Sequence, residues 1–216
     1  MNVQSASRFL AFGSLALVLG LASCSSINYG DASAEETLTI DYGSTDLQTL
    51  AASMVSSLNE SPALQYIENP GKENDPRIVV YMGGIENKTS EHVDTGGISD
   101  KMQAALMKGG RFRFVAAQPG QNEIGEQVRF QQGSGRVSEE TARAFGSQVG
   151  ADVVVYGSLR SIEKSRGGSL ESLGTRREDR FYQFVMKCVN IDTGELIWIE
   201  EEEIRKNSRT GLFGRS

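Results

Sequence analysis

Histidine is nearly missing from this sequence: His92 is the one copy in 216 residues. Hydrolytic triads and most zinc sites need well-placed imidazoles, and one loop histidine supplies neither an oriented base nor a ligand set. Cysteine is scarce as well, with Cys24 and Cys188 the only two. A basic excess is lacking: 22 Lys and Arg stand against 28 Asp and Glu, a net charge of -6. Phosphate backbones need a basic surface, so nucleic acid is excluded as a natural partner. Gly83-Gly84 and Gly96-Gly97 are not followed by the residues of a P-loop or a dinucleotide fingerprint. No catalytic, cofactor-binding or metal-ligating residue is therefore expected, and no enzyme activity.

Apolar runs are short. The longest, Phe9 to Leu21, falls below the roughly 20 residues of a membrane span. It follows a single basic residue, Arg8, and ends at Leu21-Ala22-Ser23-Cys24. A positive start, an apolar middle and small residues at a cleavage point have the layout of a secretory signal. The small residues before a cysteine resemble a bacterial lipobox, in which the Cys24 thiol is acylated and becomes the new N-terminus. The expectation is a signal peptide over 1–23, lipidation at Cys24 and a membrane anchor through it; a bacterial sorting rule reads Ser25 as favouring the outer membrane over the inner. Residues 1–23 carry one arginine and no acid, so the remainder carries -7 where the full chain has -6. With Cys24 acylated, Cys188 has no partner for a disulfide. It sits in the apolar run Tyr182 to Val189 and reads as a buried small hydrophobe.

Residues 24–41 are small, polar and acidic, without proline. They read as a flexible linker of about 17 residues, reaching roughly 55 Å when stretched and about 20–25 Å as a relaxed coil. A globular domain is expected over 42–206 and a frayed tail over 207–216. Leu47, Leu50, Ala51, Met54, Val55 and Leu58 form the stripe of an amphipathic helix over 45–58, with Ser44 as N-cap and Pro62 beyond its end. Arg77 to Met82 reads as a buried strand ending at Gly83-Gly84, and Glu86 to Thr95 as a polar loop. A helix is expected from Ile98 to Lys108, closed by Gly109, then a strand from Arg111 to Ala116 with Phe112 and Phe114 on one face. Residues 118–136, rich in Gly, Gln and Ser, read as a long loop, and Ser138 to Val149 as a capped helix. Three strands close the chain: 152–162, 180–191 and 195–204. A mobile loop over 165–178 joins the first two, and an Asp192-Thr193-Gly194 turn with left-handed Gly194 joins the last two. The fold class is α+β: a mixed sheet of about five strands ending in an antiparallel meander, with helices packed on one side.

Glu200 to Glu203 place four acids on the last strand, two to each face. They read as charge protection of an edge strand, balanced by Arg176, Arg177 or Arg180, or as an acidic contact surface. A second candidate contact is the Glu86–Asp94 loop.

Three segments carry a resemblance. One is the loop Asn87-Lys88-Thr89-Ser90-Glu91-His92-Val93-Asp94 after Val79 to Glu86; the next runs through the helix to Gly109-Gly110-Arg111-Phe112-Arg113-Phe114-Val115. The last joins Gly150-Ala151-Asp152 and Tyr156-Gly157-Ser158 to Tyr182-Gln183-Phe184, the hairpin Val189-Asn190-Ile191-Asp192-Thr193-Gly194-Glu195, Trp198 and Glu203-Ile204-Arg205-Lys206. Together they resemble the LpoB-type activators of penicillin-binding proteins from about residue 40 to 206. The resemblance implies a body like the N-terminal domain of TolB, on an outer-membrane lipoprotein that stimulates a bifunctional class A penicillin-binding protein in peptidoglycan synthesis. Family members use a long, proline-rich tether, which this chain lacks. The other reading is a structural envelope lipoprotein bound to another outer-membrane or periplasmic assembly. The sequence assigns the partner contact to no particular residues.

Overall fold

The computed structural model describes residues 31–32, 34–35, 39–67, 75–143, 148–166 and 176–210. The chain divides into two units, Met1–Ala32 and Ser33–Ser216. The first, with the expected signal peptide and Cys24, lies almost wholly outside the described residues. The helices and strands described below all belong to the second.

Helix α1, Ser44–Glu60, forms on the predicted stripe and buries Leu50, Ala51, Met54 and Leu58. Its N-cap is Gly43, not Ser44; the Asp46 carboxylate accepts the Gly43 N–H at 2.8 Å. A 3-10 turn, Pro62–Tyr66, comes next and buries Leu64. Strand β1, Ile78–Lys88, runs on through Gly83-Gly84, where a stop was expected. A bulge between Met82 and Ile85 explains this. Ile78, Val80 and Met82 point into the core, and the extra residue turns Ile85 to the same side. Helix α2, Thr95–Lys108, starts earlier than the predicted Ile98, because Asp94 caps it over the two glycines, accepting Gly96 N–H at 3.0 Å. Gly109 ends it, and Gly110 takes the left-handed conformation, φ 74°.

Strand β2, Phe112–Phe114, is short. The predicted loop after it is mostly a helix, α3, Gln118–Gly133, which opens on Pro119 and buries Gly125 and Val128. Glycines argued for a loop, but glutamine is a fair helix former and Ile124 and Val128 stand four residues apart. The helix expected over 138–149 is not present in its described part. Ser138 instead closes a turn, accepting the N–H groups of Thr141 and Ala142. Strands β3, Val153–Arg166, and β4, Arg176–Asn190, both extend past their expected ends into the predicted hairpin loop, of which residues 167–175 lie outside the described residues. Strand β5, Leu196–Thr210, likewise runs through Asn207, where fraying was expected. Gly194 adopts φ 73° and closes the β4–β5 turn as expected.

The sheet order is β2-β1-β3-β4-β5. β1 is parallel to β2 and β3, and β3, β4 and β5 are antiparallel neighbours, giving the expected mixed sheet and meander. The main core lies between α1, α2 and one sheet face, and joins Val80, Val155 and Leu159 to Tyr182, Phe184, Met186 and Cys188. Among the described residues, none before Tyr42 joins this core. Helix α3 lies on the other face, where Gln121 and Ile124 share a cavity with Val79 and Arg113. The expectation of helices on one side only is corrected by this, as a chain passing from β2 across β1 to a parallel β3 crosses over the opposite face. Among the described residues, no element covers the second face beyond α3. Along it lie Tyr81, Tyr156, Ile162 and Ile199, all exposed.

Candidate functional site

The motif loop between β1 and α2 is built almost entirely from side chains bonded to its own backbone or to neighbouring strands. Asn87 donates from Nδ2 to the carbonyls of Glu91 and Val93 at 2.9 and 3.3 Å. Its Oδ1 accepts from the N–H and hydroxyl of Thr89 at 2.9 and 2.8 Å. Thr95 donates to the Ile85 carbonyl at 2.7 Å, Val93 is buried, and Asp94 caps α2. Ser90 donates to Glu163 on β3. Apart from these, His92 is exposed.

Glu91 is the hub. Its carboxylate accepts from the Tyr42 N–H at 2.9 Å, from the Tyr182 hydroxyl and from the Arg180 guanidinium. Arg180 also pairs with Asp41, and with Glu163 at 4.0 Å. The loop, the entry to α1 and strands β3 and β4 are tied at this point. Burial works against the charge on Glu91, but the hydrogen bonds and the Arg180 charge outweigh it and hold its carboxyl below the ordinary value of 4.5. Burial, then the hydrogen bond to Glu91, pushes the Tyr182 phenol up. The Tyr42 and Tyr182 rings meet edge to face at 5.9 Å. Lys206 on β5 reaches the Asp41 carbonyl at 2.7 Å and Asp46 at 2.5 Å, adding the last strand to the same knot.

The acidic run divides as alternation requires. Glu200 and Glu202 face α1, accepting from Ser57 and, at 2.6 Å, from Ser53. Trp198 donates to Ser57 at 3.0 Å, so α1 is fastened along β5. Glu201 and Glu203 face outward and are exposed. Burial, then hydrogen bonding to Glu201, raises the Glu203 carboxyl. The expected counterions do not serve here. Arg180 belongs to Glu91, Arg176 pairs with Glu178 at 2.6 Å, and Arg177 stands opposite Arg166 and Arg209. Glu201 instead accepts from Gln183 at 2.6 Å. The edge-strand reading itself is right, since β5 ends the sheet.

Two further motif residues are architectural. The Asp152 carboxylate accepts Val79 N–H at 2.7 Å, and its own N–H donates to the Val79 carbonyl at 2.7 Å. Gly157 lies beneath β4, where an added Cβ would meet Met186 Sδ at 2.3 Å and the Val185 carbonyl at 2.4 Å. Cys188 is buried, as read from sequence, and burial pushes its thiol up to about 12. What remains for a partner is the open sheet face. There, Tyr156 stands in register with Lys187 and Ile199, and Glu201 comes in the next row. Sequence reasoning reached this face only through the acidic run, whose Glu201 and Glu203 lie on it; Tyr156 and Ile199 went unassigned, because alternation alone does not say which face the helices cover.

The fold is an α+β body whose sheet keeps one face open. A family model described as peptidoglycan-synthase activator LpoB matches residues 46–204, and the chain belongs to that family. The family is one of activators, regulators of a synthase rather than catalysts. Among solved structures, the chain is similar to the LpoB C-terminal domain from Salmonella enterica, at 18% identity and a TM-score of 0.37, covering 73% of this chain and 94% of that one. The Escherichia coli LpoB C-terminal domain matches at 18% identity and a TM-score of 0.36 with the same coverage. Lipoprotein GNA1162 from Neisseria meningitidis matches at 14% identity and a TM-score of 0.34, covering 62% of this chain and 85% of that one. No curated protein sequence matches.

Proposed function

We propose that this protein is an outer-membrane lipoprotein, anchored through acylated Cys24 on the periplasmic face, that binds and activates a bifunctional class A penicillin-binding protein. The observation that carries the reading is the family match over residues 46–204, which takes in the whole packed core from α1 to β5. Activation requires tighter binding to the active conformation of the synthase than to the resting one. The role is therefore regulatory and needs no catalytic group of its own.

The contact surface in this reading is the open sheet face around Tyr156 and Ile199. Exposed aromatic and aliphatic side chains flanked by Glu201 and Glu203 have the makeup of an apolar contact with a polar rim. The test uses the chain from Ser25 onward, mixed with a purified class A penicillin-binding protein from the same organism, with glycan polymerisation followed from lipid II. Stimulation is expected, and Tyr156→Asp and Ile199→Asp should each remove most of it while the protein stays folded. A folded body that neither binds nor stimulates the synthase would overturn the reading. The short, proline-free linker favours a second reading, a structural lipoprotein serving an assembly at its own membrane, and that outcome would move the search there.

A further inference from the structure

The outer end of the open face carries a charge pattern that the fold does not need. Register sets Arg166 opposite Arg177, and Arg177 opposite Arg209, so three guanidinium groups form one exposed row across β3, β4 and β5. Like charges directly across strands destabilise a sheet. Lys164 lies on the same face two residues inward. The acids at this end are already engaged: Glu178 with Arg176 at 2.6 Å, and Asp179 with Arg205 at 3.8 Å. Among the described residues, Arg166, Arg177 and Arg209 have no acidic partner, while Lys164 stands directly opposite Asp179. On a chain of net charge -6 this is a segregated positive pole.

The second observation is where the chain enters the body. Asp41 is held by Arg180 and Lys206, which are themselves register partners. The arginine row lies three residues further along these strands, about 10 Å at roughly 3.3 Å per residue. The segment leading back to Cys24 therefore joins the body at the same end of the sheet as the positive pole but on its helix-bearing face, since Arg180 and Lys206 alternate to the side opposite Arg177 and Arg209.

We propose that the row Arg166, Arg177 and Arg209 is a docking face for an anionic phospholipid surface, so that the body rests pole-first on the membrane that holds it. The biological setting rests on the lipid-anchor reading, but the chemistry does not. Guanidinium groups bind phosphate oxygens in paired hydrogen bonds, and each cation near an anionic leaflet raises partitioning about five-fold.

The test is flotation of the chain from Ser25, which has no acyl chain, with vesicles of phosphatidylcholine alone or with about one-third phosphatidylglycerol, a range where surface charge dominates. Binding to the anionic vesicles only, lost in 0.5 M salt as expected at a screening length of about 4 Å, is the expected result. The triple variant R166Q/R177Q/R209Q should lose about 100-fold in partitioning. The variant K101Q/K108Q/R129Q removes the same charge from exposed helix positions, and should bind as wild type does. Equal binding by the two variants would reduce the effect to net charge and overturn the proposal. So would binding to neutral vesicles, or no binding at all. Capture of a poly-glutamate peptide without vesicle binding would assign the row to an acidic polypeptide instead. Incorporation of labelled palmitate into the full-length chain in cells, absent in Cys24→Ala, tests the anchor separately.

Discussion

Glu91 shows how one residue can look like a contact and act as a rivet. Sequence alone places it in a polar loop with His92; the structure gives it Tyr42, Arg180 and Tyr182. Removing it leaves a largely buried guanidinium without its main partner and a buried phenol without an acceptor. Glu91→Ala is expected to cost about 2–3 kcal/mol, read as a lower urea midpoint with an unchanged slope. Glu91→Gln keeps the shape and isolates the charge. The folded-state carboxyl is held below 4.5, so its contribution is complete above that value and disappears as pH falls through the lower, folded one. The stability gap between wild type and Glu91→Gln should therefore be constant from neutral pH to about pH 5 and close below about pH 4. A gap that persists undiminished at pH 2 would mean the charge is not what holds the knot. His92, by contrast, is exposed in the same loop, and His92→Ala should leave stability within about 0.5 kcal/mol.

At the scale of elements, the sheet was far more legible than the helices. Strands 153–166, 176–190 and 196–210 announce themselves by alternation, and the Asn190–Glu195 turn by its glycine. Their ends were not legible, because Arg, Lys and Glu on a strand extension read as loop until the partner strand supplies the hydrogen bonds. Helix α3 was invisible for another reason: it buries little beyond Val128, so it carries almost no apolar stripe. The motif residues were legible as specific but not as structural, since only tertiary contacts reveal that Asp152 clasps Val79 and that Gly157 makes room for Met186. That room is strict. The nearest obstacle to a Cβ at Gly157 includes the Val185 backbone, which cannot swing aside as the Met186 side chain can. Gly157→Ala should force β3 and β4 apart and cost about 3 kcal/mol or more. Pairing it with Met186→Ala should recover only part of that loss, since the carbonyl stays in place. Full recovery in the double variant would show the side chain to be the sole obstacle.

At the scale of the whole molecule, the open sheet face runs between two kinds of surface. Tyr156 and Ile199 lie near one end, and the arginine row lies ten residues further along β3, about 33 Å at roughly 3.3 Å per residue. The chain enters the body through Asp41, at the same end of the sheet as the arginines and on its other face. A body anchored as proposed through Cys24 and resting on its positive pole would thus present the apolar end away from that membrane. If residues 24–41 serve as the linker read from sequence, the reach of that end is roughly 55 Å plus the length of the strands. If the partner stands at the opposite membrane, reach and not affinity limits activation in the cell. Inserting a flexible Gly-Ser segment of about 30 residues between Cys24 and Asp41 would then raise synthase activation in cells, while leaving stimulation by the soluble body unchanged, because the contact face is untouched. A longer tether also lowers the effective concentration at a partner already within range, roughly as the −3/2 power of length. A lengthened linker that weakens function in cells, with soluble stimulation intact, would therefore place the partner on the near side of the wall. The sign of that single change separates a partner across the periplasm from one beside the anchor.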